Sequence, residues 1–145
     1  MGFPGLFVRS HGWRSRKGEL IFRLADRFAP EGPIDQDGLK KALALCRGQM
    51  SAALASKLDP GTITVLKGNK PLCLRIHRRH RVVLYASETA FIDFAVDNEK
   101  GWRELEVPPM TMLTVRHEDV RAIENSEFRF IPQERKVTLP EGVNA

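Results

Sequence analysis

Long apolar runs are missing from this 145-residue chain: no stretch of about 18 apolar residues occurs, so no membrane-spanning helix is expected. The start, "MGFPGLFVRSHGWR", has no basic segment ahead of its apolar part, so no secretory signal is expected either. Cysteine is scarce. Cys46 and Cys73 form no CxxC or Cys/His metal spacing, which excludes a zinc ribbon and leaves a disulfide or a reactive role as the alternative to two plain thiols. Each sits in an apolar pattern, "LALC" and "LCLRI", and we expect two reduced, buried thiols in a cytoplasmic protein. Aromatic residues are few, and neither a helix-turn-helix spacing nor an aromatic RNA-binding signature is present.

Charge is present but modest, +5 overall, which attracts acidic partners only weakly. It is unevenly placed. Arg9, Arg14, Arg16 and Lys17 cluster near the start, and "RIHRRHR" at 75–81 forms a second knot. Arg75, Arg78, Arg79 and Arg81 could grip a polyanion through phosphate contacts. Only Tyr85 stands near them, whereas single-strand binders offer an aromatic stacking platform, so nucleic acid is not favoured as a partner. The plainer expectation is a solvated hairpin tip, with alternation dividing the charges between two faces.

The chain is long enough for one domain with a real core. Leu20, Ile21, Leu24, Ala25 and Phe28 recur on one face of a helix from Glu19, ended by Pro30, Gly32 and Pro33. A second helix is expected after Asp35 or Asp37 as cap, through Leu39, Ala42, Leu43 and Cys46, with Gly48 as its left-handed C-terminal cap. "MSAALASKL" at 50–58 reads as a buried strand or a short helix, and "DPG" at 59–61 as a turn. "TITVLK", "LCLRIHRR" and "RVVLYAS" read as strands, with "GNKP" a turn between the first two. A short helix "ETAFIDFAVD" capped by Ser87 follows, then strands at 102–107, 110–116 and within 119–131. Residues 1–16 and the tail after Ile131 read as loop. Hairpin spacing predicts an α+β fold with mainly antiparallel sheets.

Three segments, taken together, resemble the class II glutamine amidotransferase domain of the Ntn-hydrolase superfamily. "GELIFRLADRF" at 18–28 is similar to the family's helix that follows an acidic S/T-D-x-E motif. "ALALCRGQMSAALASKLDPGTITVLKGNKPLCLRI" at 42–76 resembles its stretch ending in G-x-KPL. "RVVLYASETAFIDF" at 81–94 is like its L-x-(F/Y)-A-S-E strand-to-helix junction. "ELEVPPMTMLTV" at 104–115 resembles the later L-x-P-G strand pair, with Met110 where a glycine is common.

The resemblance implies a partial αββα sandwich and a division into residues 1–17, unmatched; 18–132, the C-terminal part of the amidotransferase domain; and 133–145, a polar tail. It implies glutamine hydrolysis to glutamate and ammonia, with no cofactor and no metal. Glutamine would be the substrate of the complete domain, and an acceptor-side synthase domain or subunit its partner. The family's nucleophile is an N-terminal cysteine whose own α-amino group is the base. This sequence starts Met1-Gly2, so no catalytic residue is expected in it and the chain alone is expected to be inactive. Glu19 takes the position of the family's acidic glutamate and Lys17 that of the aspartate that holds the substrate ammonium; a lysine there repels an ammonium. Truncation of a longer amidotransferase is the preferred explanation, with a degenerate scaffold the other. Outside the enzyme class, the alternative is a non-catalytic module using the basic hairpin at 75–81.

Overall fold

A computed structural model describes residues 16–133. The expected loop before Arg16, with Arg9 and Arg14 of the first basic cluster, and most of the expected polar tail lie outside the described residues.

Helix α1 spans Arg16–Arg27 and α2 spans Gln36–Leu43. Ile21 and Ala25 of α1 and Leu39 and Leu43 of α2 are buried together, as spacings of four on two amphipathic helices require. Burial of a leucine side chain contributes about 1.5–3 kcal/mol, so Leu39 and Leu43 anchor α2 strongly for its length. Asp35 is the N-cap: its carboxylate accepts from the Gly38 N–H at 3.1 Å. The helix stops earlier than its apolar spacing suggests. Leu45 N–H donates to Ala42 and Cys46 N–H to Leu43, bonds that tighten the last turn, and Leu45 points into solvent. Gly48 is therefore not a helix cap. It belongs to β1 (Arg47–Gly48), which pairs in parallel with β9 (Ile131–Pro132).

Strands β2 (Ser51–Ser56), β3 (Asp59–Lys67), β7 (Thr111–Arg116) and β8 (Glu124–Glu127) form an antiparallel sheet in the order β2-β3-β7-β8. Residues 50–58 are thus mostly strand, and the turn expected at 59–61 lies at Lys57 and Leu58 instead. Pro60 and Gly61 sit where β3 projects past the first β7 partner, Thr62 against Arg116, so the missing Pro60 N–H removes no bond to β7. Strands β4 (Cys73–His77), β5 (Val82–Ala86) and β6 (Trp102–Leu105) form a second antiparallel sheet, ordered β5-β4-β6. Helix α3 spans Thr89–Val96. Its N-cap is Glu88 rather than Ser87, and no side chain caps it.

Period-two alternation gives each sheet two faces. Leu54, Leu66 and Met112 face α1 and α2, in one cluster with Phe128 and Phe130. Val65 and Leu113 turn the other way and meet Leu74 of β4; Val115 meets Ile76. Cys73 and Arg75 lie on the far side of β4 and contact α3. The layers run α1 and α2, four-stranded sheet, three-stranded sheet, α3. The expectation of an α+β fold with mostly antiparallel sheets is met. Among the described residues, no helix is long and apolar enough to cross a membrane.

Candidate functional site

The acidic-motif positions lie at the start of α1. Lys17 is in the first turn of its backbone and Glu19 follows. The Glu19 carboxylate is exposed and accepts from Nε of Arg23 at 2.8 Å, one turn along the same helix. An exposed pair of this spacing contributes about 0.3–0.5 kcal/mol.

Both thiols are free, and both are half-buried rather than fully buried as the sequence suggested. Cys46 Sγ–H donates to the Ala42 carbonyl at 3.5 Å, and burial pushes its thiol up from the ordinary range. Cys73 Sγ lies 3.2 Å from Thr89 Oγ1. The shift at Cys46 disfavours a thiolate, the opposite of an activated nucleophile. Each cysteine is internal, so its own nitrogen is an amide with no basic lone pair.

The basic knot divides. Arg78, Arg79 and Arg81 are exposed at the β4–β5 turn, where Arg81 adopts φ +54°. Arg75 is turned away from them, and its guanidinium meets Asp93 of α3 at 2.5 Å. His77, which the sequence placed in the same charged knot, is buried at 4% exposure. Alternation from Leu74 and Ile76 puts it on the Cys73 and Arg75 face, where Trp102, its β6 partner, covers it edge-on at 5.2 Å between ring centres. The ligand-capable atoms of His77, His80 and Glu99 lie within 4.8 Å of one another. His77 and His80, three residues apart across a turn, were visible in the sequence; Glu99 came to them only through the β4–β6 pairing.

Between the helical layer and the four-stranded sheet lies a cavity of about 100 Å³ of mixed lining, with Pro33, Ile34 and Leu54 beside Gln36, Ser56, Asp59, Thr62, Thr64, Thr114 and Arg116. Gln36 Nε2 donates to Thr114 Oγ1 at 2.8 Å across it. Sequence reasoning missed this cavity. Its polar lining comes from alternate positions of β3 and β7, where the threonines interrupt an apolar face.

The chain is 35% identical over 65 residues to a glutamine–fructose-6-phosphate aminotransferase (isomerizing) of Shouchella clausii strain KSM-K16. That alignment takes in 45% of this chain and 11% of the relative, so the chain matches only a small part of the relative's length. No family model matches the chain, and no solved structure does.

Proposed function

We propose that residues 18–132 are the scaffold portion of a class II glutamine amidotransferase domain, which releases ammonia from glutamine for transfer to an acceptor. The observation that carries this reading is the stretch shared with the bacterial aminotransferase. Two structural facts support it independently. The layer order is that of an αββα sandwich with two antiparallel sheets. Met110, at the position where the resembling motif has glycine, adopts φ +62° after Pro109, a backbone state that glycine takes without strain.

In the complete domain, a cysteine thiolate attacks the glutamine side-chain amide. The C–N bond breaks, ammonia leaves with the proton returned from the α-amino group, and water then cleaves the thioester to glutamate. Oxyanion donors stabilise the tetrahedral intermediates. Neither Cys46 nor Cys73 has the free amine for that role, and burial pushes the Cys46 thiol up, away from a thiolate. In this reading the described residues position the chemistry rather than perform it, with Glu19 and Lys17 at the edge nearest the substrate ammonium. Glutamine and an acceptor-side synthase unit are the partners, in the cytoplasm.

The test is a chimera. Residues 18–116 replace the corresponding segment of the bacterial relative, with Lys17 restored to aspartate, and glutamate release from glutamine is measured. Release above a chimera lacking the N-terminal cysteine supports the reading. A folded chimera with no release, beside an active swap from a second relative, overturns it. The chain alone is expected to release no glutamate. Release that disappears in a Cys46→Ala, Cys73→Ala double variant would show that an internal thiol does the chemistry.

The exposure of Arg78, Arg79 and Arg81 favours a second reading, a polyanion-binding tip. Three phosphate contacts to a single-stranded oligonucleotide give a slope of about −2 in log K against log salt. A flat dependence, or no binding at low salt, removes this reading.

A further inference from the structure

We propose that the β4–β5 turn and the loop before β6 form a binding site for one divalent transition-metal ion, with His77, His80 and Glu99 as ligands. The site is independent of the amidotransferase reading and lies on the outer side of the three-stranded sheet.

Two hydrogen bonds set the tautomer of His77. Its Nδ1 accepts from the His80 backbone N–H at 3.2 Å, so Nδ1 carries a lone pair. Its Nε2 lies 3.1 Å from the Lys100 carbonyl oxygen, which can only accept, so Nε2 carries the proton. The two contacts together fit the Nε2–H tautomer, with Nδ1 aimed at the turn. A ring held through its far N–H by a backbone carbonyl is the arrangement that fixes metal-ligating histidines, because it sets the tautomer and the orientation together.

The surroundings hold that ring still. Gly101 adopts φ +103°, and a Cβ there would stand 2.5 Å from His77 Nε2. The loop thus closes on the imidazole to a distance only glycine permits. Trp102 packs edge-on against the ring, and the His80 ring lies 4.2 Å from it, centre to centre.

Glu99 is oriented in the same way. Its Oε2 accepts from Trp102 Nε1–H at 3.1 Å, which leaves Oε1 for an ion. Neither bond of His77 involves the His80 ring or the Glu99 carboxylate, yet a ligand-capable atom of each of the three side chains lies within 4.8 Å of the other two.

Ligand atoms at about 2.0–2.2 Å from one tetrahedral zinc ion stand roughly 3.3–3.5 Å apart. The present separations, up to 4.8 Å, need about an ångström of closure. His80 and Glu99 are exposed and supply it, while His77 stays fixed. The ion takes the place of the His80 N–H at Nδ1. Two imidazoles and a carboxylate suit zinc, nickel or copper better than calcium or magnesium, which prefer all-oxygen shells. Three protein ligands leave a fourth position to water.

The test is a calorimetric titration of the full chain, freed of metal by a chelator, with zinc ions alone. His77 is buried and its removal would mix folding with binding, so the exposed ligands carry the comparison. One zinc ion per chain is expected, with affinity lowered about tenfold or more in each of His80→Ala and Glu99→Gln. Both variants should keep the metal-free melting temperature of the parent and lose the zinc-induced rise. Zinc binding of undiminished affinity in both variants would place the ion elsewhere and overturn the proposal. So would the absence of any zinc-dependent heat or stabilisation in the parent chain.

Discussion

The Arg75 guanidinium and the Asp93 carboxylate meet at 2.5 Å and tie β4 to α3. A second contact runs beside them, Cys73 Sγ to Thr89 Oγ1 at 3.2 Å. The spacing explains why both form at once. Two residues along a strand advance about 6.7 Å and four along a helix about 6 Å, so Cys73 and Arg75 match Thr89 and Asp93 when helix and strand run side by side. This pairing takes Arg75 out of the basic knot.

The two ends of the ion pair are not equally exposed: the Arg75 side chain is 19% accessible and that of Asp93 56%. Removing Asp93 leaves a largely desolvated cation, whereas removing Arg75 leaves a carboxylate that water reaches. We expect Asp93→Asn to cost about 1–2 kcal/mol and Arg75→Met about 1 kcal/mol or less, measured by urea denaturation. The reverse order would mean that Arg75 acts through packing of its stem rather than through its charge.

Gly68 is expected to tolerate no side chain. A Cβ there would lie 2.1 Å from the Met50 carbonyl oxygen and 2.9 Å from the Phe130 ring. The first obstacle is backbone and cannot rotate away. Gly68→Ala should therefore destabilise by about 2 kcal/mol or more, as overpacking in a tight core does. Thermal unfolding checks it, and an unchanged midpoint would show that the Met50 strand can move aside.

At Met110 two effects oppose each other. Its left-handed backbone costs a non-glycine residue about 1–2 kcal/mol, which Met110→Gly relieves. The methionine side chain is partly buried against the helical core, and its loss works the other way. We expect the substitution to lie within about 1 kcal/mol of neutral, far from the 2–5 kcal/mol of an ordinary methionine truncation in a core. A loss in that ordinary range would mean that the turn carries no strain.

Cys46 makes stability depend on alkaline pH. Burial raises its pKa in the folded chain above its unfolded value, so the folded state holds the proton more tightly. That contribution is complete below about pH 8.5, the usual thiol value, and is lost as pH rises through the folded pKa. Cys46→Ala should flatten the decline between pH 8 and 10 in denaturation midpoints, and iodoacetamide at pH 8 should modify Cys73 faster than Cys46. Equal alkylation rates would show that the two sites are equally open.

Several elements were legible because their signals are local. The i, i+4 spacing of Ile21 and Ala25 set α1, Asp35 capped α2, and alternation marked β4 and β7. Local signals misled where two local rules competed. Gly48 looked like a helix cap but is strand, because α2 tightens and ends after Leu43. "DPG" looked like a turn, yet β3 absorbs it where its neighbour β7 does not reach.

The sequence alone thus determined most of the helices and strands and the likeness to an amidotransferase scaffold. Tertiary structure alone decided what the basic knot is. Whether Arg75 meets an anion or Asp93, and whether His77 is solvated or enclosed beside Glu99, depends on which element covers each face of β4. That depends on contacts between residues far apart in the chain, Arg75 with Asp93 and His77 with Glu99. Sheet register is fixed by burial of whole faces, and no short window of sequence contains both partners.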